Sequence, residues 1–174
     1  MKVLLVDDNA GDRVLLRRCF ERHGYEVSEA ADGQAGLEAA GSWRPDLIIS
    51  DALMPVMDGF QFLRRLRQDE ELAAIPFIFY SAVYSAEADE QLALSLGADA
   101  FIVKPKEPDQ FWAEMESCLR EFPALERRKG RQVTGQEGES LWRYCCITAH
   151  KLEGKVGELE AEAALRRQAE GALR

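Results

Sequence analysis

The run Val3-Leu4-Leu5-Val6, followed at once by Asp7-Asp8, places four apolar residues against two carboxylates. A run this short and this uniformly apolar suits a strand buried on both faces. The same design returns three times. Leu47-Ile48-Ile49 leads into Ser50-Asp51, Phe77-Ile78-Phe79 leads to Ser81-Ala82, and Phe101-Ile102-Val103 leads to Lys104-Pro105. Between the runs the apolar period changes: Leu16 and Phe20, Phe62 and Leu66, and the series Phe111, Met115, Cys118, Phe122 recur every three or four residues, each marking one face of a helix. Residues 25–30 alternate apolar and polar side chains, as a less buried strand near a sheet's edge does. Five strands and five helices in alternation predict an α/β domain, a doubly wound parallel sheet with helices on both faces and right-handed crossovers.

Composition narrows the functional classes. The chain has 174 residues, 47% hydrophobic and 30% charged, with a formal net charge of −9. That length suits one domain with an appendage and is too short for two full enzymes. Residues 1–122 hold 12 Lys or Arg against 23 Asp or Glu, and residues 123–174 hold 10 against 8. A domain so acidic does not favour nucleic acid, and no direct nucleic-acid partner is expected, because phosphate neutralisation needs a basic surface. Nothing approaches the roughly 18 consecutive apolar residues of a membrane span, and a cytoplasmic chain is expected. Four cysteines without C-x-x-C spacing and only two histidines argue against a zinc cluster or a disulfide scaffold.

The sequence divides into a domain over residues 1–122, a linker over 123–140 and a helical extension over 141–174. Arg127-Arg128-Lys129-Gly130-Arg131, followed by Gly135 and Gly138, reads as a solvated linker. Beyond it, Trp142, Cys145, Ala149, Leu152, Val156, Leu159 and Ala163 alternate three and four apart, a coiled-coil-like seam of about three heptads that weakens at Arg166 and Gly171. A parallel homodimer is its simplest burial.

In a doubly wound sheet, functional groups gather at the carboxyl ends of the strands. Asp7, Asp8, Asp51, Ser81 and Lys104 all follow predicted strands and should converge there. Close carboxylates repel one another unless a cation compensates them. Oxygen ligands without His or Cys select a hard ion, and Mg²⁺ leaves positions for a phosphoryl group. Asp51 would then be the nucleophile, forming an acyl phosphate, with Lys104 neutralising the transferring group and Ser81 donating to it. The plainer reading makes the three aspartates helix N-caps.

Taken in order, Val6-Asp7-Asp8-Asn9, Asp51-Ala52-Leu53-Met54-Pro55-Val56-Met57-Asp58-Gly59, Ser81-Ala82 and Lys104-Pro105 resemble a response regulator receiver domain over residues 1 to about 122. The resemblance implies a flavodoxin-like sheet of order 2-1-3-4-5. It implies Asp51 as phosphoacceptor, Asp8, Asp51 and the Leu53 backbone carbonyl as direct Mg²⁺ ligands, and Asp7 acting through a water. Lys104 and Ser81 would contact the phosphoryl group, with Ser81 and Phe101 as a switch pair. The implied donor is a histidine kinase or phosphotransfer protein, and the implied output face is the fourth helix, fifth strand and fifth helix. Such a module is a phosphoacceptor limited to self-phosphorylation and self-dephosphorylation, not an enzyme acting on other substrates.

Residues 151–174 resemble the coiled linkers that precede PAS or sensor kinase domains. The expectation is the N-terminal part of a larger multidomain signalling protein. The alternative is a haloacid-dehalogenase-type Mg²⁺-dependent phosphatase, but such enzymes carry the nucleophile in Asp-x-Asp on the first strand, whereas Asp7 and Asp8 are adjacent.

Overall fold

In a computed structural model, residues 1–82, 86–104 and 107–125 are described. Of the linker expected over 123–140, residues 123–125 belong to the last described helix; the rest of it and the helical extension expected over 141–174, with the proposed dimer seam, lie outside the described residues. Strands and helices alternate as β1 (Lys2–Val6), α1 (Ala10–Arg22), β2 (Glu26–Ala30), α2 (Gly33–Trp43), β3 (Leu47–Ser50), α3 (Gly59–Gln68), β4 (Phe77–Ser81), α4 (Ala86–Ser95), β5 (Ala100–Val103) and α5 (Pro108–Leu125). The sheet has the order β2-β1-β3-β4-β5, and every neighbouring pair is parallel.

Apolar content decides each strand's place. All residues of β3 and β4 are buried, as is β1 after Lys2, so these strands occupy the centre. In β2 only Ala30 is buried, and its alternating sequence lies at the edge. Successive side chains feed two cores. Val3, Leu5, Ile49, Ile78 and Ile102 pack with Leu16 and Phe20 of α1 and with Phe111 and Met115 of α5. On the opposite face Phe62 of α3 meets the Phe77 ring at 5.5 Å, and Phe60 meets Phe79 at 4.8 Å.

The helix starts answer the N-cap reading of the aspartates. Asn9 caps α1 by accepting from the Gly11 and Asp12 amides, Asp32 caps α2 through Ala35, and Asp58 caps α3 through Gln61. Asp7, Asp8 and Asp51 are therefore left for other work. At the start of α3, Gly59 allows a close approach: a Cβ there would lie 2.1 Å from the Asp51 carbonyl oxygen. This contact draws the β3–α3 loop under the end of β3. Among the described residues no helix is long and apolar enough to cross a membrane.

Candidate functional site

Parallel pairing brings the carboxyl ends of β1, β3, β4 and β5 to one edge. Val6 is in register with Ser50, and Ser81 with Val103, so the residues just beyond these strands become neighbours. The Asp51 amide donates to the Val6 carbonyl at 2.8 Å, and the Lys104 amide to the Ser81 carbonyl at 2.9 Å. Backbone bonds thus continue the sheet for one residue and set the side chains that follow.

Asp7 is buried, Asp51 half-buried and Asp8 exposed, and one carboxylate oxygen from each lies within 4.8 Å of the others. Asp7 accepts from the Asn9 amide at 2.8 Å and from the Lys104 ammonium at 2.5 Å. One oxygen of Asp51 accepts from the Ala52 amide at 2.7 Å and from the Ser81 hydroxyl. Asp7, Asp8, Asp51, Ser81 and Lys104 therefore converge from four strand ends. Leu53 stands two residues beyond Asp51, half-buried in the β3–α3 loop. Phe101 is in register with Phe79, with ring centroids 5.8 Å apart, and Phe79 precedes Ser81 by two on the same face of β4.

Burial raises the Asp7 pKa above its ordinary value, and Lys104 offsets this only in part. Burial also works against the Lys104 ammonium, but attraction to Asp51 and the bonds to Asp7 and Asp12 outweigh it, so that group is held above the usual lysine value. The Tyr80 ring, 5.2 Å from Lys104 Nζ, adds a cation–π contact from below. The site keeps its lysine charged and leaves its carboxylates short of positive charge. Its clustered donors are carboxylate oxygens alone, a set that fits a hard divalent cation.

Three contributors carry no signal of their own in the sequence. Asp12 accepts from Lys104 at 2.9 Å, Arg13 donates to the Asp7 carbonyl at 2.5 Å, and Tyr80 lies against the lysine. Asp12 and Arg13 read as ordinary first-turn charges of a helix, and Tyr80 as a strand residue. Only the fold reveals what they touch.

Residues 3–116 match the family model of the response regulator receiver domain. The chain is 37% identical over 119 residues to the alkaline phosphatase synthesis transcriptional regulatory protein PhoP of Bacillus subtilis (strain 168), an alignment covering 68% of this chain and 48% of that protein. It thus spans about half the length of the curated relatives it matches. Among solved structures, the chemotaxis response regulator CheY4 of Vibrio cholerae is 35% identical with a TM-score of 0.63, over 67% of this chain and 97% of that one. The signal receiver domain of a signal transduction histidine kinase from Syntrophus aciditrophicus is 30% identical with a TM-score of 0.61, over 78% of this chain and 96% of that one. Neither the adjacent Asp7-Asp8 pair nor these relatives support the phosphatase alternative. Order of strands, matched residues and relatives agree: the chain belongs to the response regulator receiver family.

Proposed function

We propose that Asp51 accepts a phosphoryl group from a phosphohistidine on a histidine kinase or phosphotransfer protein, in a Mg²⁺-dependent reaction. The observation that carries this reading is the meeting of Asp7, Asp8 and Asp51 within 4.8 Å, with Ser81 bonded to Asp51. An Asp51 oxygen forms the new bond to phosphorus as the phosphorus–nitrogen bond breaks, and the histidine nitrogen leaves with the electron pair. Asp8, Asp51 and the Leu53 carbonyl would hold Mg²⁺ directly and Asp7 would hold it through a water, and the ion would supply positive charge to the phosphoryl oxygens. Lys104 offers a further donor to the same oxygens. Ser81 turns its hydroxyl from Asp51 to the phosphoryl group, and Phe101 follows it inward.

The state then biases the face made by α4, β5 and α5, a two-state switch driven by new charge. Output passes through the C-terminal helix, by homodimer formation or by a change in dimer geometry. PhoP is named as a transcriptional regulator, but the acidity of residues 1–122 favours a receiver that does not itself contact nucleic acid.

The test is intact mass after incubation with acetyl phosphate and Mg²⁺. We expect one phosphoryl group per chain, sensitive to hydroxylamine as an acyl phosphate is, and no label in Asp51→Asn or in the presence of chelator. Label that survives in Asp51→Asn, or catalytic turnover of a generic phosphate ester without a labelled chain, would overturn the reading. Solution mass with beryllofluoride tests the output: a shift that Asp51→Asn abolishes supports assembly through the C-terminal helix.

A further inference from the structure

Asp12 lies in the first turn of α1, four residues after Asp8, which precedes the helix's Asn9 cap. Its carboxylate reaches the Lys104 ammonium across 92 residues of sequence, at 2.9 Å. The lysine side chain is only 12% exposed and the Asp12 side chain 38%, so solvent screens this pair in part. Asp12 stands outside the group of three carboxylates fitted to a cation, and its contact is with the lysine.

An ammonium has three N–H donors. Two are engaged by Asp7 and Asp12, both at or near the start of α1. Among the described residues Asp51 is not a hydrogen-bond partner of Lys104, although it attracts the lysine through space. A phosphoryl group on Asp51 would draw the nitrogen toward itself. Asp7 can exchange the lysine for a cation at the acid cluster, but Asp12 has no such replacement and keeps its hold.

We propose that Asp12 is a positioning residue, a counter-ion that competes with the phosphoryl group on Asp51 for Lys104 and so weakens the phosphorylated state. This inference rests on Asp51 being the acceptor.

The test is calorimetric titration of the full chain with beryllofluoride in saturating Mg²⁺. Asp12→Asn keeps the size of the side chain and removes its charge. It should bind about two- to fivefold more tightly than wild type, the range expected for one partly exposed ion pair. Asp12→Glu, which keeps the charge, should bind as wild type does. In a Lys104→Ala background the Asp12→Asn change should have no effect, since the pair has already been removed.

Equal or weaker binding by Asp12→Asn overturns the inference. So does a gain that persists without Lys104, which would be simple relief of repulsion between carboxylate and anion, and so does Asp12→Glu behaving like Asp12→Asn. Failure of wild type to bind, or undiminished binding by Asp51→Asn, instead overturns the acceptor reading and the inference with it. Thermal unfolding of each variant confirms that the comparison is between folded proteins.

Discussion

Val56 has φ 67° and is 83% exposed, so its side chain gains little from burial while its backbone sits in the left-handed region. That conformation costs an L-residue about 1–2 kcal/mol, and glycine's greater unfolded freedom takes back about 0.5–1 kcal/mol. Val56→Gly should therefore stabilise the protein by about 0.5–1 kcal/mol. A higher denaturant midpoint with an unchanged slope would show it; a lower midpoint would mean that the valine side chain makes a contribution not explained by its exposure. Gly59 is the opposite case, because the obstacle is space. A Cβ there would lie 2.1 Å from the Asp51 carbonyl oxygen and 2.8 Å from the Phe79 ring. Gly59→Ala must push the Asp51 backbone aside, at a cost of about 1–3 kcal/mol. It should also slow labelling of Asp51 by acetyl phosphate. Stability lost with labelling unchanged would confine the damage to the Phe79 side.

At the scale of elements, Arg67 joins α3 to the opposite end of the sheet from the acid cluster. Its side chain is 12% exposed and donates to the carbonyls of Ala73, Ile75 and Gly97 and to Asp99, which also accepts from the Phe77 amide. Arg67→Met would leave those acceptors poorly satisfied and cost about 2–3 kcal/mol, read from the denaturant midpoint. Arg67→Lys should recover only a minor part, because a point charge cannot bridge all of these groups; recovery of most of the loss would reduce the interaction to charge alone. Arg67 also shows where the sequence stops being readable. On α3 it looks like one of several surface basic residues, and its role depends on carbonyls up to 30 positions away. The buried strands announce themselves because both faces need apolar side chains, and the sheet-edge position of β2 follows from its alternation. Helix α2 is harder, since its buried face is Gly33, Gly36 and Ala40, residues too small to mark an apolar stripe. The five polar residues at the strand ends are legible because each follows a run that the sheet must align. Asp12 is not, because any acidic residue in a helix's first turn already has an electrostatic reason to be there.

For the molecule as a whole, the acid cluster sets stability against function. Asp7 has its folded pKa raised above the unfolded value of 3.8, chiefly by burial. Between those two values the folded state binds more protons than the unfolded one, so this group's contribution to stability falls as pH rises through the window and stays lost above it. Lys104 follows the same sign in an alkaline window. Its raised folded value preserves its contribution below the ordinary 10.5, and that contribution disappears only as pH climbs through the folded value. Three carboxylates stand together with one ammonium bonded to Asp7, and Mg²⁺ that binds only the folded state should stabilise the cluster. At a concentration 100 times the dissociation constant the gain is about 2.7 kcal/mol, visible as a rise in Tm. Acidification should shrink that rise as Asp7, its pKa raised by burial, takes up a proton, since a protonated carboxyl is a poor ligand. In chelator at neutral pH, Asp7→Asn removes the buried charge and should unfold no earlier than wild type, because Asp12 still holds Lys104. The same variant should lose much of the Mg²⁺ increment. An increment that stays constant down to pH about 4, near the ordinary aspartate value, or that survives Asp7→Asn and Asp51→Asn alike, would place the cation away from these carboxylates and leave their closeness without a purpose.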